Sequence, residues 1–284
     1  MASTERRNVP DNSTAFASFE QKWLAAYPEQ AAVAVFLAPN ERLRASAFGC
    51  LVHELEQTLF AARETQAAAI KLAWWRQELI AACAGNPRHP VSAVLFADPR
   101  TQAVDAGSWP ALADAALAML ERHPASNFVE LLGAYRTLYI AVARIECALF
   151  DGNHGQQEAI ATLWIISHLL RALPMSADEW LSLPLDLLAR HGLTRSMLTQ
   201  PGASRTAAWG DYLGLLGEHA SVALAQVPGA TLGLRVRARL DLVAMRQARR
   251  APDPLVWLTA RAHFGRWRSL WSAWSEARRL ARRR

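Results

Sequence analysis

The sequence predicts an all-α protein, a single bundle of about eight helices. Three observations point there. Alanine fills roughly a fifth of the 284 positions, and alanine orders in a helix at little entropic cost while packing poorly in sheets. Apolar residues recur at helical spacing along most of the chain, with no alternating strand pattern to compete. The Gly and Pro residues, 14 of each, gather at a few breaks and leave long uninterrupted stretches.

Taken in order, residues 1–12 read as a disordered terminus. From Ser13 a first helix carries Phe16, Phe19 and Trp23 and stops near Pro28. Asn40 is the expected N-cap of a long helix to Ala62, whose Phe48, Leu51, Val52, Leu55 and Leu59 form a one-sided stripe. A second long helix spans 64–84 and ends at Gly85, a residue suited to the left-handed conformation that closes helices. The turn-rich segment 98–110 (DPRTQAVDAGSWP) reads as a loop. Helices then fit 111–122, 127–150, 157–173, 205–226 and 231–250, and a last one runs from Pro254 into an arginine tail at 277–284. There is no internal repeat, so 13–276 is expected to form one domain.

Composition excludes several classes. Apolar residues are 52% and charged residues 20%, which is too apolar for a disordered chain and sufficient for a large core. No apolar run reaches the roughly 18 residues that span a bilayer. The opening MASTERRNVP has no apolar segment behind its arginines, so it does not read as a secretory signal. Three widely spaced cysteines (Cys50, Cys83, Cys147) give neither a disulfide framework nor a zinc site. The expectation is a cytoplasmic protein. The net charge of +6 is unevenly spread: residues 235–284 hold 14 arginines against Asp241, Asp253 and Glu276. Such a terminus attracts an anionic lipid surface, an acidic partner or nucleic acid. No nucleic-acid module accompanies it, so nucleic acid is the weakest of the three.

The chemistry-bearing residues lie in three places. The first is VHELEQ (52–57), followed by KLAWWRQEL (71–79) and GNPRHPV (85–91). The second is YRTLYIAVAR (135–144). The third is LLRALP (169–174), followed by LPLDLLARHGL (183–193). GxGxxG, the Walker loop, HExxH and GxSxG are all missing. Together these segments resemble the squalene/phytoene synthase family over roughly residues 31–195. That resemblance implies an isoprenoid-synthase bundle around an apolar cavity. It also implies head-to-head joining of two prenyl diphosphates, with magnesium on two DxxxD motifs.

The chemistry explains that spacing. Carboxylates four residues apart lie about 40° apart on a helix, so both reach one cluster of hard cations. Here the spacing is lost. Glu54 stands for the leading aspartate, but Thr58 follows four residues on, and Glu56 lies about 200° round the helix from Glu54. The family's arginine is matched by Arg171, whereas Ala172 and Ser176 replace the aspartates. LRALP resembles a divergent branch that includes assembly factors for respiratory complex I, although Asp178-Glu179-Trp180 stands where that branch carries a basic pair.

Glu54 and Glu56 are therefore the candidate catalytic residues, and His53, Arg76, Tyr135, Tyr139, His168 and Arg171 the candidate cavity residues. A glutamate paired with Arg76 or Arg171 is expected where the metals would sit. Trp74 and Trp75 read as packing residues. No metal or cofactor is expected, magnesium being implied only for an active enzyme. The leading reading is a protein without magnesium-diphosphate catalysis. It would bind a prenyl or lipid ligand, or serve respiratory-complex assembly through a protein partner, at the membrane face. The alternative is an active prenyl transferase with an altered metal site. Trp267, Leu270, Trp271, Trp274 and Phe264 share one face of the last helix. That face either meets the membrane or docks on the bundle.

Overall fold

The computed structural model describes residues 12–62, 64–121, 123–173, 183–260 and 265–282. The expectations for residues 1–11, Ser176, Asp178, Glu179, Trp180, Phe264, Arg283 and Arg284 lie outside them. Among the described residues all regular structure is helical, with no strand. The α-helices are α1 (Asn12–Ala26), α2 (Glu29–Ala34), α3 (Pro39–Phe60), α4 (Thr65–Cys83), α5 (Pro90–Phe96), α6 (Ser108–Ala118) and α7 (Phe128–Leu149). They continue with α8 (Gln157–Ala172), α9 (Leu185–Arg190), α10 (Ala203–Gln226), α11 (Leu232–Ala248), α12 (Pro254–Ala260) and α13 (Arg266–Ala281).

Local chemistry explains the ends. α3 starts earlier than expected: Ala38 is its N-cap and Pro39 its first residue, so Asn40 lies inside the first turn. Proline's fixed φ suits that first position, where no amide hydrogen is needed. Gly85, at φ +81°, closes α4 as expected. Its amide donates to the Ala82 carbonyl at 3.0 Å and the Asn86 amide to Ala81 at 2.8 Å, which together occupy two terminal carbonyls. Asn127 caps α7 by accepting from the Glu130 amide at 3.0 Å. The supposed loop at 98–110 contains a 3-10 turn at Pro99–Ala103 and the first turn of α6. Among the described residues the expected last helix is two, α12 to Ala260 and α13 from Arg266, with Gly265 in an extended conformation ahead of α13.

Helices α7 and α8 pack together at the centre; α10 and α11 flank α8, while α4 and α6 close the other side. α1 lies across α3 and α5. Gly49 is what lets α1 approach: a Cβ there would sit 2.4 Å from the Trp23 indole. The main core includes Leu51, Leu55, Leu72, Trp75, Tyr139, Ile166 and Trp209. A second, smaller core joins α2, α11 and α13 through Val33, Val236, Leu240 and Ala273. No described helix is long and apolar enough to cross a membrane.

Candidate functional site

The stripe on α3 turns Glu56 inward and leaves Glu54 at the side, as their angular separation requires. Glu54 meets Lys71 of α4 at 3.8 Å. Thr58, buried one turn on, donates its hydroxyl to the Glu54 carbonyl at 2.7 Å. Glu56 is buried among α3, α7 and the turn before α2. Its Oε2 accepts from the Tyr27 hydroxyl at 2.8 Å and its Oε1 from the Tyr139 hydroxyl at 2.7 Å. His168 Nδ1 lies 3.9 Å from the same Oε1. Burial pushes the Glu56 carboxyl above the usual range, and the two tyrosines and the nearby Arg237 and Arg171 charges only partly offset it. Burial, then the Glu56 charge, pushes both tyrosine hydroxyls well up, so they remain donors.

Beside this centre Arg171 of α8 bridges two buried carboxylates. Its Nη1 reaches Asp241 of α11 at 3.0 Å and its Nη2 reaches Glu29 of α2 at 3.1 Å. It also donates to the Ser167 hydroxyl. Burial works against its charge, but Asp241 and Glu29 overcome that and push its pKa further up. Arg237, one turn before Asp241, lies between the faces of Tyr27 and Trp164, 4.3 and 4.4 Å from the ring centroids. Two electron-rich faces help meet a desolvated guanidinium, with Glu29 at 3.5 Å adding an ion pair.

A further buried carboxyl lies beside these groups. Glu146 of α7 accepts from the Trp164 indole at 2.7 Å and from the Thr231 hydroxyl at 2.6 Å. Thr231 is also the N-cap of α11, so one side chain starts the helix and satisfies the acid. Burial again raises the Glu146 carboxyl above its ordinary value. A cavity of about 50 Å³ adjoins these groups, lined among others by Trp23, Phe48, Glu146, Trp164, Thr231 and Arg237. That is room for a few waters, well below the several hundred cubic ångströms typical of organic-ligand pockets.

Of the predicted site residues, the fold brings Glu56, Tyr139, His168 and Arg171 into one region. Tyr135 and His168 pack together with Phe60, the His168 ring 4.0 Å from Phe60 and 5.4 Å from Tyr135. His53 meets Tyr27 edge-on at 5.8 Å, and burial, then Arg237, lowers its pKa. Arg76 does not belong here: it pairs with Asp114 at 2.8 Å near the surface. The expected pairing of Glu54 or Glu56 with Arg76 or Arg171 is therefore replaced by other partners. The reason is geometric, since Arg171 points to α2 and α11 rather than α3. Trp75 is buried, while Trp74 is largely exposed beside His89.

Sequence reasoning missed Tyr27, Glu29, Glu146, Arg237 and Asp241. A signal existed for Glu146, which continues the inward stripe of Tyr135, Tyr139 and Val142 one turn further. A charged group on an apolar stripe requires a buried partner.

Among the described residues, those at the two motif positions do not fit a diphosphate-bridging magnesium cluster. Both Glu56 oxygens accept from tyrosines, Thr58 is engaged by its own helix, and Ala172 offers no ligand. Among the described residues no three His, Cys, Asp or Glu side chains converge as a metal site.

No protein-family model matches the chain, and no curated protein matches it by sequence. Solved structures do match. A dehydrosqualene synthase in complex with a ligand superposes with a TM-score of 0.76, covering 95% of this chain and 98% of that one at 12% identity. Squalene synthase HpnC from Alicyclobacillus acidocaldarius gives 0.60, covering 88% and 94% at 14% identity. At such identities the likeness establishes the fold alone: this protein has the squalene-synthase-like, all-α fold.

Proposed function

We propose that this protein uses the squalene-synthase-like fold without magnesium-diphosphate catalysis, as a binding or assembly protein at a membrane face. The observation that carries the reading is the closure of the interior. Glu56, Glu146, Glu29 and Asp241 are each engaged by protein donors and Arg171 by two carboxylates, while Arg237 is held by aromatic faces and the Glu29 charge, its Nε and Nη1 making no hydrogen bond. A group already satisfied inside the protein gains little from a metal or a phosphate. The small adjoining cavity favours assembly through the outer surface over an interior prenyl or lipid ligand. The resemblance of LRALP to the complex I assembly relatives supports the same choice. Calorimetric titration with farnesyl diphosphate, with and without magnesium, tests it. The expected result is no magnesium-dependent heat, and micromolar binding that requires magnesium would overturn the reading.

One observation favours the rival, an active head-to-head prenyl transferase. The likeness to dehydrosqualene synthase spans nearly the whole of both chains, so the full helical shell is retained. Product formation from prenyl diphosphates separates the two readings.

A further inference from the structure

α13 is mounted with its aromatic side outward. Trp267, Trp271 and Trp274 are 85%, 67% and 38% exposed, and the rings of Trp271 and Trp274 lie 4.8 Å apart. The face against the bundle instead carries Ser269, Ala273 and Glu276. Glu276 fixes this orientation. It is fully buried and accepts from Arg235 of α11 at 2.8 Å, with Arg239 and Arg279 beside it. A soluble helix ordinarily turns its tryptophans in and its carboxylate out. Here the reverse arrangement is held by a buried ion-pair cluster.

The charge around the exposed face identifies its occupant. Arg278 and Arg282 continue the tryptophan stripe at helical spacing, and Arg278 lies 4.8 Å over the Trp274 ring. Arg266, Arg268 and Arg279 are exposed on its flanks. Glu276 is the only acidic residue of the helix, and it is already buried and paired. A second copy docking through the same face would bring like charges together, because a twofold interface pairs each patch with itself. An anionic bilayer has no such conflict. Indoles settle among headgroups while arginines meet lipid phosphates.

We propose that the outward face of α13, carrying Trp267, Trp271, Trp274, Arg278 and Arg282, is a docking surface for anionic lipid membranes. The proposal rests on the membrane-face part of the functional reading and is independent of the interior carboxylates. Docking by this face would lay the helix along the surface, with the bundle above it.

The test is sedimentation of the full chain with phosphatidylcholine vesicles, with and without phosphatidylglycerol, at low and high salt. The wild-type chain should pellet with the anionic vesicles and be released by salt. Combined Trp267→Ser, Trp271→Ser and Trp274→Ser changes touch only exposed positions, so helical circular dichroism should be retained. They should lower the partition about tenfold or more. Arg278→Gln with Arg282→Gln should weaken binding and flatten its salt dependence. Three results would overturn the proposal: no pelleting at low salt, undiminished pelleting of the tryptophan variant, or equal affinity for neutral vesicles. A tryptophan-dependent dimer that ignores vesicles would also overturn it, assigning the face to self-association. None of these outcomes involves prenyl diphosphate or magnesium, so failure here leaves the interior reading standing, and failure there leaves this one.

Discussion

Two buried glutamates, Glu56 at the centre and Glu276 on the inner face of α13, leave water almost completely and yet are displaced in opposite directions. Burial is the largest influence on both and raises both. At Glu56 the direct donors are neutral tyrosine hydroxyls, and the carboxyl ends above its usual range. At Glu276 the donors are arginines, Arg235 foremost, and the carboxyl ends below it. At these two acids the sign of the shift goes with the charge of the donors, whereas at Asp241 burial and the neighbouring Glu29 charge outweigh Arg171 and leave the carboxyl raised. The central acid sits in a network of neutral donors, whereas the peripheral one acts as a charged rivet for a helix.

Removal of single partners should separate the two environments. The largest effect should come from Arg171→Met, which strands the buried Glu29 and Asp241 carboxylates. Chemical denaturation should register a loss of about 3–5 kcal/mol. An unchanged stability would mean that Arg171 closes nothing. Glu276→Gln should cost less, roughly 2–3 kcal/mol, because two of its three arginines can still turn to water. Its damage should be local: amide exchange would quicken in α13 and leave α7 protected. Global loss of protection would contradict the rivet picture. Glu56→Gln should be the mildest, within about 1 kcal/mol, since an amide can still accept from one tyrosine and bond to the other.

The two acids should also answer pH with opposite signs. Glu276 has a lowered folded pKa, so its contribution is present above the unfolded carboxyl range, near pH 4–5, and lost as pH falls through the folded value. Glu56 and Glu146 have raised folded values, so their neutral forms favour folding at low pH. That advantage fades as pH rises from the unfolded range through the folded values. Protection factors, which correct exchange rates for their intrinsic pH dependence, should fall in α13 as pH drops below the unfolded carboxyl range and fall in α7 as pH rises above it. Parallel slopes would refute the distinction.

The long helices were legible because each carries enough turns for its periodicity to show. The short α2, α5 and α9 were not, since six or seven residues display no period. At the site, Glu56 and Arg171 were visible through motif position. Their partners Tyr27, Glu29 and Asp241 were not, because they come from elements far apart in the chain. α13 shows the limit most clearly. Its amphipathicity is plain in the sequence, but the inward face depends on arginines of α11 meeting Glu276, a pairing no local pattern announces.

Under the proposed function, the interior supports no condensation of prenyl diphosphates. The most direct test is to incubate the full chain with farnesyl and geranylgeranyl diphosphate plus magnesium, with product analysis by gas chromatography and mass spectrometry. The account predicts no squalene- or phytoene-type hydrocarbon above a boiled control. Such a hydrocarbon, formed by the wild-type chain and abolished by Glu54→Ala or Glu56→Ala, would contradict it.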